Sequence, residues 1–455
     1  MKKLAIFGGE PIFKDGLPQA MYDNIRWPKY TQEDEDAALE VMRNNSYSSI
    51  DITEKFESEF AQWIGTEHAV AYANGTMALA AAMFGIGLSK GDEIICPTKT
   101  YWASIVPATI FGAVPVFCAV DEMLSIDPDD IERLISPKTK AIMVVHYCGY
   151  PADMDRIMAI ANKYNLKVIE DVSHAQGGLY KGKRVGTFGD VAAMSLMSTK
   201  SFSAGELGIV VTNNRRIYER ALAYGHYDRN NSKYIKESEE LFDYYHIALG
   251  GVKGRANQLC CAIARVQLKY YDERCAKIRE TMNYFYDELE SITDAFKAVR
   301  IDESTGSNMA GFYGVTVRYY PEKLSGLSIN TLLEAVNKEI GKDSDFLYIV
   351  SGGNYCLHKH NLFKTFDFNN AGSPTALANA ERDVRALDEK LIESENRLCF
   401  SVPWFKTLDK QLIDPIVTAF RNVVENYKEL LAIDNKDADQ GGRWHGFTHH
   451  NDDEN

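Results

Sequence analysis

Residues 168–178, VIEDVSHAQGG, pass from an apolar pair into two acids, a Ser-His step and paired glycines. A short buried-type strand that stops in this way sets Asp171 at a strand's carboxyl end, the place where open α/β sheets bind ligands. The flanking sequence supports such a sheet. Strand-like runs recur at 68–73 (HAVAYA), 93–96 (EIIC), 115–120 (PVFCAV), 141–146 (AIMVVH), 166–169 (LKVI), 191–196 (VAAMSL) and 208–212 (GIVVT), with helical patterns at 76–85, 103–111, 128–134 and 157–164. Strands separated by crossovers of this length predict an α/β fold with a mostly parallel seven-stranded sheet flanked by helices.

Beyond a charged, tyrosine-rich stretch at 218–245, residues 259–289 read as one long helix. A strand from 312 (FYGVTVRYY), a helix at 329–340 and a final helix at 410–431 suit a smaller α+β unit. A chain of 455 residues exceeds what one core usually organises. The expected division is 1–280 for an N-terminal segment and large α/β domain, 281–433 for a small C-terminal α+β domain, and 434–455 for an acidic flexible tail.

The net charge of -14 argues against nucleic-acid binding, which needs clustered cations. A small ligand is the better partner, and a phosphate on it is no contradiction, because helix N-termini bind anions. The eight cysteines are scattered without a C-x-x-C pair, so neither disulfides nor a metal site is expected. The opening MKKLAIFGGEPIF meets glycines before a signal-type apolar core develops, and no apolar run approaches membrane-spanning length, so no membrane association and a cytoplasmic location are expected.

Three elements carry chemistry. In 73–80, ANGTMALA, a strand ends at Asn-Gly-Thr and becomes a helix, which aims N–H groups and a positive dipole end at one point, at Gly75 and Thr76; alone it reads equally as a plain cap. Asp171 suits a protonated heterocyclic nitrogen, though a lone acid there also caps turns. In 194–202, MSLMSTKSF, Lys200 follows a strand among small polar residues, where desolvation suits a nucleophilic amine; alone it is as readily a surface cation. Two near-misses fail: Gly177-x4-Gly182-Lys183 continues with Arg184 instead of Ser or Thr, and Gly85-x-Gly87 lacks a third glycine in register. Together the three elements read as phosphate cup, pyridinium partner and imine-forming lysine.

At this point the sequence resembles the DegT/DnrJ/EryC1/StrS family of sugar aminotransferases, fold-type I pyridoxal-phosphate enzymes. The likeness runs from about residue 8 to about residue 431. It is carried by 91–98 (GDEIICPT), 145–155 (VHYCGYPADMD), 170–171 (ED), and 198–200 (STK) through 205–208 (GELG). The resemblance implies pyridoxal 5′-phosphate as cofactor, with Lys200 and Asp171 catalytic. Cofactor contacts then fall to Gly75, Thr76, Tyr101, Asp171, His174, Ser195 and Lys200. Lys253, in 251–255 (GVKGR), stands where the family carries an Asn on a loop that reaches a second subunit's phosphate, which implies a homodimer with its site at the interface. Lys99, where the family has a small or apolar residue, Trp102, and His358 and His360 of the loop 352–361 are the substrate-facing candidates.

The implied activity moves an amino group from glutamate or glutamine to a keto- or aldehydo-sugar, in cell-surface glycan (lipopolysaccharide) or amino-sugar biosynthesis. That sugar is free, acidic such as an octulosonate, a cyclitol, or nucleotide-linked. Three alternatives stay open. A sugar dehydratase of this fold carries histidine at the lysine position, whereas this chain has Lys200. A regulatory or binding member without turnover needs no intact lysine and acid. An ordinary amino-acid aminotransferase needs an arginine for the substrate carboxylate, and Arg229 or Arg255 qualifies only if the fold brings it to the ring.

Overall fold

The computed structural model describes residues 3–354, 356–360, 362–363, 390–391 and 399–435. Its central sheet has seven strands: β1 (His68–Tyr72), β2 (Glu93–Pro97), β3 (Val114–Cys118), β4 (Thr139–Val145), β5 (Lys167–Asp171), β6 (Val191–Ser195) and β7 (Gly208–Thr212). Their order is β1-β7-β6-β5-β4-β2-β3, and only β7 runs antiparallel to its neighbours. The interior strands are apolar on both faces, since helices cover both, and every residue of β2, β3 and β7 is buried. All seven expected strands are present.

Strand β5 runs through both acids and ends at Asp171, as expected. The buried Glu170 carboxylate accepts N–H bonds from Gly186 (2.7 Å), Phe188 (2.8 Å) and Gly189 (2.7 Å) and lies 3.1 Å from His146 Nε2. Burial disfavours its charge, yet His146 and these amides hold its pKa below the usual carboxylate range. One difference from expectation is that the helix expected at 103–111 is two pieces, a 3-10 turn Trp102–Ser104 and a short helix Val106–Ile110. Pro107 has no N–H to bond the Ala103 carbonyl and sits in the first turn of the second piece, where helix N–H groups lack partners in any case, so it favours a start there over continuation.

A second, three-stranded antiparallel sheet follows, with β8 (Phe296–Ala298), β9 (Thr316–Tyr319) and β10 (Cys399–Ser401) in that order. Helices Ile329–Ile340 and Lys410–Glu425 supply Leu332, Val336, Ile416 and Phe420 to its core. The helix Gln258–Glu290 joins two cores: Cys261, Ala264 and Tyr271 pack with Phe56 and Phe202, while Ile278, Met282 and Phe285 pack with β8 and β9. Leu4, Leu17 and Met21 of the N-terminal segment belong to the second core. Asp434, the first residue of the expected tail, is anchored by Ser328 Oγ at 2.5 Å, and residues 436–455, Trp444 among them, lie outside the described residues. Among the described residues no helix is long and apolar enough to cross a membrane, and no group of His, Cys, Asp and Glu is arranged to hold a metal.

One buried ion pair ties helix Asp51–Ile64 to the loop after helix Arg215–Gly225. Arg229, 2% exposed, donates to both Glu57 oxygens at 2.8 and 2.9 Å, and Glu57 also accepts the Ala71 N–H of β1 at 2.7 Å. Glu57→Gln leaves a buried guanidinium without its counter-ion and should cost about 3–5 kcal/mol. Urea denaturation checks this; a loss under about 1 kcal/mol would contradict it.

Candidate functional site at the carboxyl ends of the central strands

Three junctions meet at one edge of the sheet. Helix Gly75–Gly85 begins directly after β1, with Asn74 Oδ1 capping the Met77 N–H at 3.0 Å. That leaves the Gly75 and Thr76 amides at the positive end of the helix. Gly75 is required by crowding: a Cβ there would lie 2.6 Å from Ser195 Cβ, at the end of β6. Gly208, opening β7, is equally confined, since its Cβ would lie 2.2 Å from the Asn74 carbonyl oxygen. The fold therefore sets Gly75 against Ser195, with Thr76 next to it in the first turn of the helix.

Asp171 ends β5 and is 4% exposed. Its Oδ2 accepts from Ser104 Oγ at 2.7 Å, its Oδ1 from the Ser173 N–H at 3.0 Å, and Ser104 is backed by Thr100 at 2.9 Å. Three residues on, His174 Nδ1 accepts the Cys148 N–H at 3.2 Å, which leaves Nε2 as the protonated nitrogen of a neutral ring. The ring packs between Tyr147 (5.5 Å between centroids) and Tyr313 (4.5 Å).

The half-buried Lys200 lies in the loop between β6 and β7. Its Nζ donates to Tyr313 Oη at 3.3 Å and lies 4.4 Å from the centre of that ring, while its carbonyl accepts from Trp27 Nε1 at 2.9 Å. Gln176 fastens the loop to the strand ends: its Oε1 accepts from Ser201 Oγ at 2.7 Å, and its Nε2 donates to the Ser195 carbonyl at 2.6 Å. Tyr313 also meets Trp404 edge-on at 6.2 Å. Tyr313, Trp27, Trp404 and Ser104 were missed by the sequence reading. The first three come from segments remote from every motif, and the Tyr313 run reads simply as strand.

The remaining candidates are distributed around this centre. Tyr101 and Trp102 are half-buried neighbours with ring centroids 5.1 Å apart. Lys99 is 5% exposed and forms a backbone bridge to Cys356. Lys253 lies over the Tyr227 ring at 5.1 Å, and the adjoining Gly254 carbonyl accepts the Ala73 N–H at 2.9 Å, just ahead of Gly75. His358 is turned inward, 3% exposed, with Nδ1 2.6 Å from Thr98 Oγ1, whereas His360 is exposed with its ring against Phe363. Tyr355 and Asn361 of that loop lie outside the described residues. Neither arginine is positioned as a carboxylate grip: Arg229 is held by Glu57, and Arg255 donates to Asp228 at 2.7 Å.

A mostly parallel seven-stranded sheet, with Asp171 at one strand end and Lys200 and the Gly75–Ser195 approach just beyond others, defines the class, the fold-type I transferases. Comparison with known proteins narrows it. The DegT/DnrJ/EryC1/StrS aminotransferase family matches residues 28–372. The chain is 36% identical over 278 residues to GDP-perosamine synthase of Escherichia coli O157:H7, covering 61% of this chain and 74% of that one. It is 30% identical over 342 residues to a putative L-glutamine:3-amino-2,3-dideoxy-scyllo-inosose aminotransferase of Streptoalloteichus tenebrarius, covering 74% and 78%. The crystal structure of 3-amino-5-hydroxybenzoic acid synthase shares the fold at a TM-score of 0.72 and 24% identity, over 88% of this chain and 98% of that one. The chain belongs to the DegT/DnrJ/EryC1/StrS aminotransferase family, and it is a sugar aminotransferase.

Behind the lysine lies an unusual second amine. Lys406, 3% exposed, packs 3.7 Å from the Trp404 ring centre and donates to the Trp404 and Ile25 carbonyls at 2.6 and 3.3 Å. Burial, assisted by repulsion from Lys29, pushes its pKa well below the usual lysine range. A base whose folded pKa is lowered destabilises the fold most at low pH. The penalty shrinks as pH rises from the folded toward the unfolded pKa, by about 1.4 kcal/mol per unit. Lys406→Met should therefore gain most over the wild type near pH 7 and least near pH 10 in urea denaturation; an advantage that grows with pH would contradict this.

Proposed function

We propose that this enzyme uses pyridoxal 5′-phosphate to carry an amino group from glutamate or glutamine to a keto- or aldehydo-sugar, with Lys200 as the residue that holds the cofactor and moves the proton. The observation that carries the reading is the meeting of three groups at neighbouring strand ends. They are the Lys200 amine, the buried Asp171 carboxylate, and the Gly75–Ser195 approach that no side chain larger than glycine permits.

These residues fit the cofactor. The Gly75 and Thr76 amides and the Ser195 hydroxyl suit a phosphate at a helix N-terminus. Asp171 suits the ring nitrogen, and Tyr101, His174 and Trp102 offer flat faces. When bound, the cofactor supplies an aldehyde for the lysine amine and an electron-withdrawing ring.

The chain's own groups do the rest. Asp171, oriented by the Ser104 and Ser173 donors, would hold the proton on the ring nitrogen. The Lys200 amine would take the proton from the carbon of the amino donor that loses its nitrogen and, in the second half-reaction, deliver a proton to the sugar carbon that gains it. Tyr313 restrains that amine between turns by accepting its hydrogen bond. Among the described residues, Arg229 and Arg255, the two arginines considered for a carboxylate grip, are both paired with acids, which favours a sugar over an amino acid as the second substrate.

The exposed Phe242, Tyr244, Ile247 and Val252, next to the Lys253 loop, support a homodimer in which Lys253 serves a phosphate across the interface. A cytoplasmic site of action and a place in cell-surface glycan synthesis accord with the family. Asp171→Asn should retain cofactor yet lower kcat by at least about 100-fold, because its neutral amide stabilises no ring charge. Absorbance spectra and single-turnover rates with glutamate and glutamine check this. Wild-type rates in the variant would contradict it.

A further inference from the structure

Lys99 is a largely covered cation beside the proposed reacting centre. It lies on the short loop between β2 and Ser104, the residue that donates to Asp171. At 5% exposure its amine forms no ion pair and no side-chain hydrogen bond with any described residue. The Lys99 side chain is covered by protein along most of its length while its amine has no carboxylate opposite it among the described residues, so an anion seated beside it would pair with a cation already held in place.

Position ties this cation to the reacting centre. A Cβ built on Gly353 would lie 3.7 Å from Lys99 Cε and 3.1 Å from Tyr147 Oη, so both groups flank the same point of the 352–354 backbone. The Tyr147 ring packs on His174 at 5.5 Å, His174 on Tyr313 at 4.5 Å, and Tyr313 Oη receives the Lys200 amine at 3.3 Å. On the other side, Thr100 bonds Ser104 at 2.9 Å and Ser104 bonds Asp171 at 2.7 Å. The charge is felt at Cys148, whose thiol burial pushes up to about 12 with Lys99 opposing the rise.

We propose that Lys99 pairs with a carboxylate carried on the sugar itself, so that the amino acceptor is a keto- or aldehydo-sugar acid. This rests on the aminotransferase reading above and names its substrate class. A carboxylate is a direct substituent of the carbon chain being aminated, whereas the diphosphate of a nucleotide-linked sugar stands off beyond the whole ring. A buried amine on the loop that holds Asp171 is placed for the former. Lysine also suits a single carboxylate as a compact point charge, where arginine would present a wide fork.

The test uses wild-type, Lys99→Met and Lys99→Arg holoenzymes against a panel of keto- and aldehydo-sugar acids, their methyl esters, and neutral nucleotide-linked keto-sugars. The half-reaction with glutamate or glutamine is followed separately by the cofactor's absorbance. The best wild-type acceptor should be a free acid, and its methyl ester should lose about 100-fold in kcat/KM, as expected for a lost charged hydrogen bond. Lys99→Met should lose a similar factor on the acid, chiefly through KM. It should leave the ester and the donor half-reaction within about twofold, and Lys99→Arg should recover part of the loss. A best acceptor that is an ester or a nucleotide-linked sugar overturns the proposal while transamination stands, as does an unchanged Lys99→Met rate on the acid or no turnover of any acid. A wild-type enzyme that responds to neither donor overturns both readings.

Discussion

Adjacent residues on a strand face opposite sides of the sheet, and the site depends on which acid at the end of β5 faces which way. Glu170 is locked into the interior by three backbone N–H groups of the 186–189 loop and by His146. With that side chain committed, Asp171 has to point the other way, toward Ser104 and Ser173. A slip of one residue would exchange the two carboxylates, and the loss of three satisfied amides opposes it. An acid pair that looks redundant in sequence is thus a register lock followed by a functional group.

Around this fixed carboxylate, the remaining parts come from both cores. The central sheet supplies the approach of Gly75 to Ser195 and the loop of Lys200. The second core supplies Trp404, the segment between Phe312 and Val315 supplies Tyr313, and the N-terminal segment supplies Trp27. The helix Gln258–Glu290 contributes to both cores, so the aromatic wall around the lysine is referred to the same rigid element as the sheet. The amine is held by one hydroxyl contact and one ring face, enough to orient it without binding it so firmly that it could not leave for a carbonyl.

The central sheet was legible because buried parallel strands are short apolar runs spaced by helices, and all seven appear in place. The places of Gly75 at the start of the helix after β1, of Asp171 at the end of β5 and of Lys200 in the loop after β6 were legible because each follows a short apolar run. What remained hidden was long-range. Trp27 meets the Lys200 carbonyl across 173 positions, and Tyr313 meets its amine across 113. No local pattern marks such pairs. Arg229 looked available as a carboxylate grip because its partner, Glu57, lies 172 positions away. The helix expected at 103–111 broke at Pro107, a feature visible in the sequence whose consequence a periodicity reading passes over.

The account turns on one covalent attachment, and borohydride reduction of the pyridoxal-phosphate-loaded enzyme followed by peptide mapping tests it most directly. It predicts a single phosphopyridoxyl label on the peptide containing Lys200, and no stoichiometric label in Lys200→Ala. Labelling of Lys99, Lys253 or Lys406 instead, or of Lys200→Ala at wild-type stoichiometry, would contradict it.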